Sequence, residues 1–218
     1  MPRRKLIRSN SLPYHVTGRT NNRVDFPLER RRMWALFSLE CSILTHTYGA
    51  EIHAFVMMPN HFHLLLTVPE HDLGFTMNRF MSSVSQTANH LCGQSGHVFG
   101  GPYFGSLIDS TRYYSHVLKY VYRNPVKAGI CAQVEDFPFS TLHGLVGAGP
   151  LPFPIYRPRT AVELQLPSIE PAEQLPWLNI PLPAEADALI RNGLRRKVFG
   201  TLIDQNTRKP NKILAGLL

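Results

Sequence analysis

Cysteine is scarce in this chain. Its 218 residues include only Cys41, Cys92 and Cys131, widely spaced and with no C-x-x-C pair. That odd, scattered set excludes a disulfide framework or a cysteine zinc knuckle, and it fits a reducing compartment. No apolar run approaches the roughly 20 residues that span a bilayer. The basic start MPRRKLIRSN is not followed by the apolar stretch of a secretory leader. A cytoplasmic location is therefore expected. Charged residues are sparse at 17%, against 44% hydrophobic, which excludes a disordered chain. The length suits one domain, or one domain with an appendage.

Acidic residues are also few: 15 Asp and Glu against 23 Lys and Arg, a net charge of +8. The excess sits at the ends. Residues 1–32 carry a net +7, residues 186–218 a net +5, and the body between them −4. Two basic ends on a slightly acidic body suggest a polyanionic partner, though solubility alone would also account for them.

Prolines divide the chain. Nine of the 18 lie from Pro150 to Pro183. Proline removes a backbone donor and fixes φ, so residues 147–185 are read as an extended arm without a regular helix or central strand. Residues 186–218 are read as a basic tail with a short helix. Residues 1–146 read as one α+β domain. A strand at 14–17 is followed by a helix at 28–48, ended by Gly49. Runs at 51–58 and 61–68, joined by Pro59-Asn60, predict a hairpin. A helix follows at 74–92. The glycine-rich loop 93–105 comes next and is no P-loop, because no Gly-Lys-Ser/Thr follows it. A strand at 104–108 and a helix at 112–124, stopped by Pro125, complete the domain. This order predicts an antiparallel sheet with helices packed on one face.

Two constellations carry chemistry. In NHFHLLLTV, alternation puts His61, His63 and Leu65 on one face of a strand and Phe62, Leu64, Leu66 and Val68 on the other. The second set is a core face. The first leaves two imidazoles side by side, able to converge on one metal ion or to stand as two exposed histidines. In RYYSHVLKYVYRNPVKAG, Tyr120 and Asn124 are four apart and share a helix face. A phenol can act as a nucleophile and an amide oxygen as a hard ligand. Tyr113, Tyr114, Tyr120 and Tyr122 also fit ordinary core or interface aromatics. Asn124 precedes Pro125, which biases it away from helical geometry.

Together the two elements resemble a known family. HAFVMMPNHFHLLLTVPE is similar to the strand–turn–strand of the HUH single-strand nucleases, with Phe62 as the central hydrophobic residue. KYVYRNPVKAGI resembles the tyrosine helix of the single-tyrosine, IS200-like transposases. PYHVTGRTNNR, SGHVFGGPYFGSLID and LRRKVFG are similar to segments of the REP-associated tyrosine transposases. The likeness is close over residues 12–146 and loose over 189–200.

The resemblance implies a ferredoxin-like antiparallel sheet with the H-x-H on a central strand. It implies single-stranded DNA with a hairpin or palindromic repeat as the partner. It also implies cleavage through a 5′-phosphotyrosine, by a monomer or a homodimer. By position, the nucleophile maps to Tyr120, with Tyr122 as its rival, and the metal ligands map to His61, His63 and Asn124. Two nitrogens and an oxygen with open positions suit Mg²⁺ or Mn²⁺ better than Zn²⁺. One departure stands out. Family members often carry a basic residue near Gly101–Phe104, where this chain has Pro102 and Phe104. The basic ends offer Arg3, Arg4, Lys5, Arg8, Arg19, Arg23, Arg195, Arg196 and Lys197 as candidate DNA contacts, with affinity expected to fall steeply with salt. The arm would let the tail fold back over the site. A non-cleaving hairpin-binding regulator and an RNA-binding ferredoxin-like domain are the competing readings.

Overall fold

A computed structural model describes residues 7–109, 111–151, 153–157 and 171–199. Strand β1 (Tyr14–Arg19) lies between β3 (His61–Thr67) and β4 (Phe104–Ile108), antiparallel to both. Strand β2 (Glu51–Met57) forms the predicted hairpin with β3. Helix α1 (Arg30–Tyr48) links β1 to β2, and α2 (Leu73–Cys92) links β3 to β4. The sheet order β2-β3-β1-β4 with this connectivity is the expected ferredoxin-like α+β arrangement. A short β5 (Val198–Phe199), from the tail, adds to β4 in parallel.

Helices cover both faces of the sheet, not one. Val16, Phe62, Leu64 and Leu66 pack with Met33, Phe37, Met77, Phe80 and Val84 of α1 and α2. On the other face, Ala54, Val56 and Leu65 meet Tyr113, Val117 and Val121 of α3 (Thr111–Lys127). The second apolar face was hidden because β2 slips register between Ile52 and Ala54. The extra residue breaks the period-two pattern on which a one-sided reading depends.

That extra residue is His53, buried and bonded at both nitrogens. Nδ1 lies 2.8 Å from the Tyr156 carbonyl and Nε2 lies 2.8 Å from Thr67 Oγ1. A carbonyl only accepts, so Nδ1 donates and Nε2 accepts from the threonine. Burial lowers the pKa from 6.5 to about 4, against an opposing contribution from the Tyr156 bond. The unfolded chain therefore takes up this proton below pH 6.5, and the folded one only near 4. The stabilisation is complete above pH 6.5 and is lost as pH falls toward 4, on the order of 3 kcal/mol for this residue. Urea midpoints measured from pH 7 to 4.5 should fall, and less steeply in His53→Gln. An identical slope in the variant would contradict this origin.

Two prolines behave differently from expectation. Helix α3 runs through Pro125 to Lys127 instead of stopping at 124. Proline cannot donate to the Val121 carbonyl. The Asn124 side chain supplies a substitute, its Nδ2 donating to Tyr120 O at 2.8 Å and Val121 O at 3.4 Å. After the short α4 (Thr141–Leu145), the proline-rich stretch, where no helix was expected, forms α5 (Pro171–Asn179) with Pro176 inside it. Proline is tolerated at its first position, and Arg123 Nη1 caps its end, donating to Leu178 O and Asn179 O at 3.0 and 2.5 Å. Residues 158–170 of the arm lie outside the described residues.

The tail helix, here α6, spans Ala184–Gly193. It ends before Arg195, Arg196 and Lys197, which form the turn into β5 rather than a helix. Phe199 packs so tightly on Gly193 that a Cβ there would sit 2.3 Å from its ring. Lys127 of α3 pairs with Asp187 of α6. Segments α5 and α6 thus both brace the outer side of α3. Among the described residues, no helix is long and apolar enough to cross a membrane.

Candidate active site

The α3 face of the sheet carries the polar residues of two neighbouring strands. Register pairs Thr17 with His63 and Arg19 with His61. Alternation then puts His15, Thr17 and Arg19 of β1 on the same face as His61 and His63 of β3.

Each histidine of the pair has one ring nitrogen held. His61 Nδ1 lies 2.8 Å from Asn60 Oδ1. The Asn60 amide orientation follows from its other contact, because Nδ2 donates to the Arg23 carbonyl at 2.8 Å. Oδ1 therefore faces His61 and accepts from Nδ1–H, which leaves the Nε2 lone pair of His61 available. His63 Nδ1 lies 2.9 Å from His15 Nε2, and His63 Nε2 is buried without a hydrogen-bond partner. The two rings of the H-x-H pair are 5.1 Å apart. Burial lowers the His61 pKa to about 4, with Arg19 adding to the shift. Burial also pushes His63 well down, helped by His15, His61 and Arg19. Both imidazoles are neutral at pH 7, the form that binds metal.

Tyr120 stands over this pair. Its ring meets His63 edge-on at 5.9 Å and His15 at 6.3 Å. Tyr122 does not reach the site. It is buried on the core side of α3, with its hydroxyl 3.1 Å from Thr141 Oγ1. Burial pushes its pKa up to about 12. Tyr113 and Tyr114 are likewise core residues. Asn124 is one turn beyond Tyr120, and with Nδ2 turned back to the helix its Oδ1 is left over.

The donor set fits a divalent cation. His63 Nε2 is buried without a partner, His61 Nε2 is left free by Asn60, and the amide oxygen of Asn124 lies on the adjacent helix. Among the described residues no three His, Cys, Asp or Glu are placed to hold a metal ion together, so a third protein ligand would be an amide oxygen rather than a carboxylate.

A family model, the IS200-like transposase, matches residues 8–124, more than half of the chain and all of these side chains. The chain belongs to the IS200-like transposase family. It is 36% identical over 102 residues to the REP-associated tyrosine transposase of Escherichia coli (strain K12), covering 47% of this chain and 60% of that relative. The chain thus spans about three fifths of the length of that relative. A solved structure of a REP-associated tyrosine transposase bound to a REP hairpin matches with a TM-score of 0.54 and 29% identity, over 71% of this chain and 90% of that one.

In this chain the predicted basic contacts divide. Arg19 is exposed beside His61 and acts electrostatically on both histidines and on Tyr120. Arg195 reaches the same site, because α6 packs against α3. Arg191, on α6 itself, does so too. Arg23 is exposed, and its carbonyl anchors Asn60. Arg8 lies beside Tyr14, at the end of β1 opposite Arg19. Arg196 is exposed, and Lys197 is half-buried with its carbonyl bonded to Leu107 N. Arg3, Arg4 and Lys5 lie outside the described residues.

Three residues at the site escaped the sequence reading: His15, Asn60 and Asp187. Burial is the main cause of the raised Tyr120 pKa, and Asp187 adds to it, while Arg191, Arg195 and Arg19 oppose. Strand alternation puts His15 on a face with Thr17 and Arg19. Only the pairing register shows that this face is the one carrying His63.

Proposed function

We propose that this chain cleaves and rejoins single-stranded DNA beside a hairpin, with Tyr120 as the nucleophile. The observation that carries this reading is the edge of Tyr120 on His63, whose buried Nε2 has no partner. Tyr120 Oη attacks the scissile phosphorus and the P–O3′ bond breaks. The 3′ strand end leaves as a hydroxyl, and the 5′ phosphate remains on the tyrosine. In net terms the phenolic proton moves to the released 3′ oxygen. The phosphotyrosine retains the energy of the cleaved bond, so a 3′-hydroxyl can reseal it without a nucleotide cofactor.

His61, His63 and Asn124 would hold Mg²⁺ or Mn²⁺, which supplies positive charge to polarise the phosphate. A phenol has an ordinary pKa of about 10 and is a weak nucleophile at neutral pH. Arg19, Arg191 and Arg195 favour its ionised form and offset Asp187. The same arginines would attract the phosphodiester backbone. The neighbour's bound REP hairpin supports a hairpin repeat as the substrate.

Incubation with a hairpin-bearing single-stranded oligonucleotide and Mn²⁺ should give a covalent protein–DNA band on a denaturing gel. Binding without any such band, across hairpins drawn from repeats flanking the gene, would favour the non-cleaving regulator instead.

A further inference from the structure

Both histidines of the H-x-H pair are held by Nδ1, each by a different element. For His61 the partner is Asn60, in the preceding turn. For His63 it is His15, on the central strand. His15 is 3% exposed and His63 is 6% exposed. Their rings stack at 5.2 Å, inclined by 24°. Such a buried histidine pair needs a reason, because a buried polar ring costs stability unless its nitrogens are used.

Two neutral imidazoles joined in this way share one proton, which allows two arrangements. With the proton on His15 Nε2, His63 must carry its own on Nε2, a buried N–H with no acceptor. With the proton on His63 Nδ1, His63 Nε2 is a lone pair and His15 carries its proton on Nδ1. That Nδ1–H is itself buried without a partner, as is the Oγ of Ser106, the Cα partner of His15 on β4. Each arrangement thus leaves one buried N–H without an acceptor, and only the second gives His63 Nε2 the lone pair that a ligand requires. It also reproduces at His63 what Asn60 imposes on His61.

We propose that His15 is a positioning residue: it accepts from His63 Nδ1–H and so fixes the ring orientation and tautomer that present His63 Nε2 to a divalent cation. This rests on the site being the metal-assisted one described above. Outer partners of ligating histidines typically change metal affinity by about 10- to 100-fold when removed.

The test uses the full-length protein and Mn²⁺ alone, without DNA. Free Mn²⁺ followed by electron paramagnetic resonance gives the dissociation constant. His15→Leu should weaken binding by about tenfold or more. His15→Gln, whose Oε1 can accept at the place of Nε2, should stay within about threefold. Long-range ¹H–¹⁵N spectra of metal-free wild type should show His63 protonated on Nδ1, with that preference lost in His15→Leu. Should the leucine variant not fold, His15→Asn, too short to reach His63, replaces it in the comparison. Mn²⁺ binding by His15→Leu as tight as that of wild type, or His63 protonated on Nε2 in wild type, overturns the role of His15 alone. Wild type that binds no Mn²⁺ overturns the metal-assisted reading and this proposal with it.

Discussion

Tyr120→Phe is expected to abolish the covalent protein–DNA band, a loss of at least about a thousandfold in cleavage, because among the described residues no other tyrosine ring meets the histidines of the site. The nearest alternative in sequence, Tyr122, faces the core and spends its hydroxyl on Thr141. Tyr122→Phe should therefore leave the band in place and instead cost about 1 kcal/mol of stability, the usual worth of one buried hydrogen bond. The two substitutions separate chemistry from folding. Tyr120 is half-buried and its hydroxyl has no hydrogen bond among those described, so Tyr120→Phe should melt within a few degrees of wild type. A band that persists in Tyr120→Phe and vanishes in Tyr122→Phe would reverse the assignment.

The second large effect is at the histidines. His61→Ala should lower Mn²⁺-dependent cleavage by about a hundredfold or more, since in the proposed site it would remove one of two nitrogen ligands from the charge that polarises the phosphate. His61 is half-buried at the site's edge, so hairpin binding and the melting temperature should change little. His63→Ala should be at least as damaging to cleavage, and it also leaves a cavity between β1 and α3 that costs stability. Asn60→Ala leaves both ligands but frees the His61 ring, and a smaller loss, about 10- to 100-fold, is expected. Equal cleavage by His61→Ala and wild type at saturating Mn²⁺ would remove the H-x-H pair from the mechanism.

Much of this was legible from local pattern. Alternation in HFHLLLT placed His61 and His63 together, and the helical period placed Tyr120 above Asn124. These signals depend only on residues close in sequence. What local pattern could not supply was everything set by pairing between distant segments. His15 joins the site through the β1–β3 register. Asp187, Arg191 and Arg195 join it because α6 docks on α3 and continues into a two-residue edge strand. The second helical layer was masked by the bulge at His53. The prolines misled for a different reason. Pro125 and Pro176 each forfeit a backbone bond inside a helix, and the Asn124 amide and the Arg123 guanidinium support those helices from outside the backbone pattern. The charge excess at the two chain ends turned out to be spatially meaningful for Arg19, Arg191 and Arg195, which gather around Tyr120.

The most direct measurement is to map the linked residue. Digestion with trypsin after Lys119 and Arg123 isolates Tyr120-Val121-Tyr122-Arg123, which contains both candidate tyrosines. Tandem mass spectrometry of the adduct formed with hairpin DNA and Mn²⁺, after nuclease trimming, should place a 5′-phosphate-linked nucleotide on Tyr120. A nucleotide on Tyr122, or a cleaved oligonucleotide with no modified tyrosine in this peptide, would contradict the account.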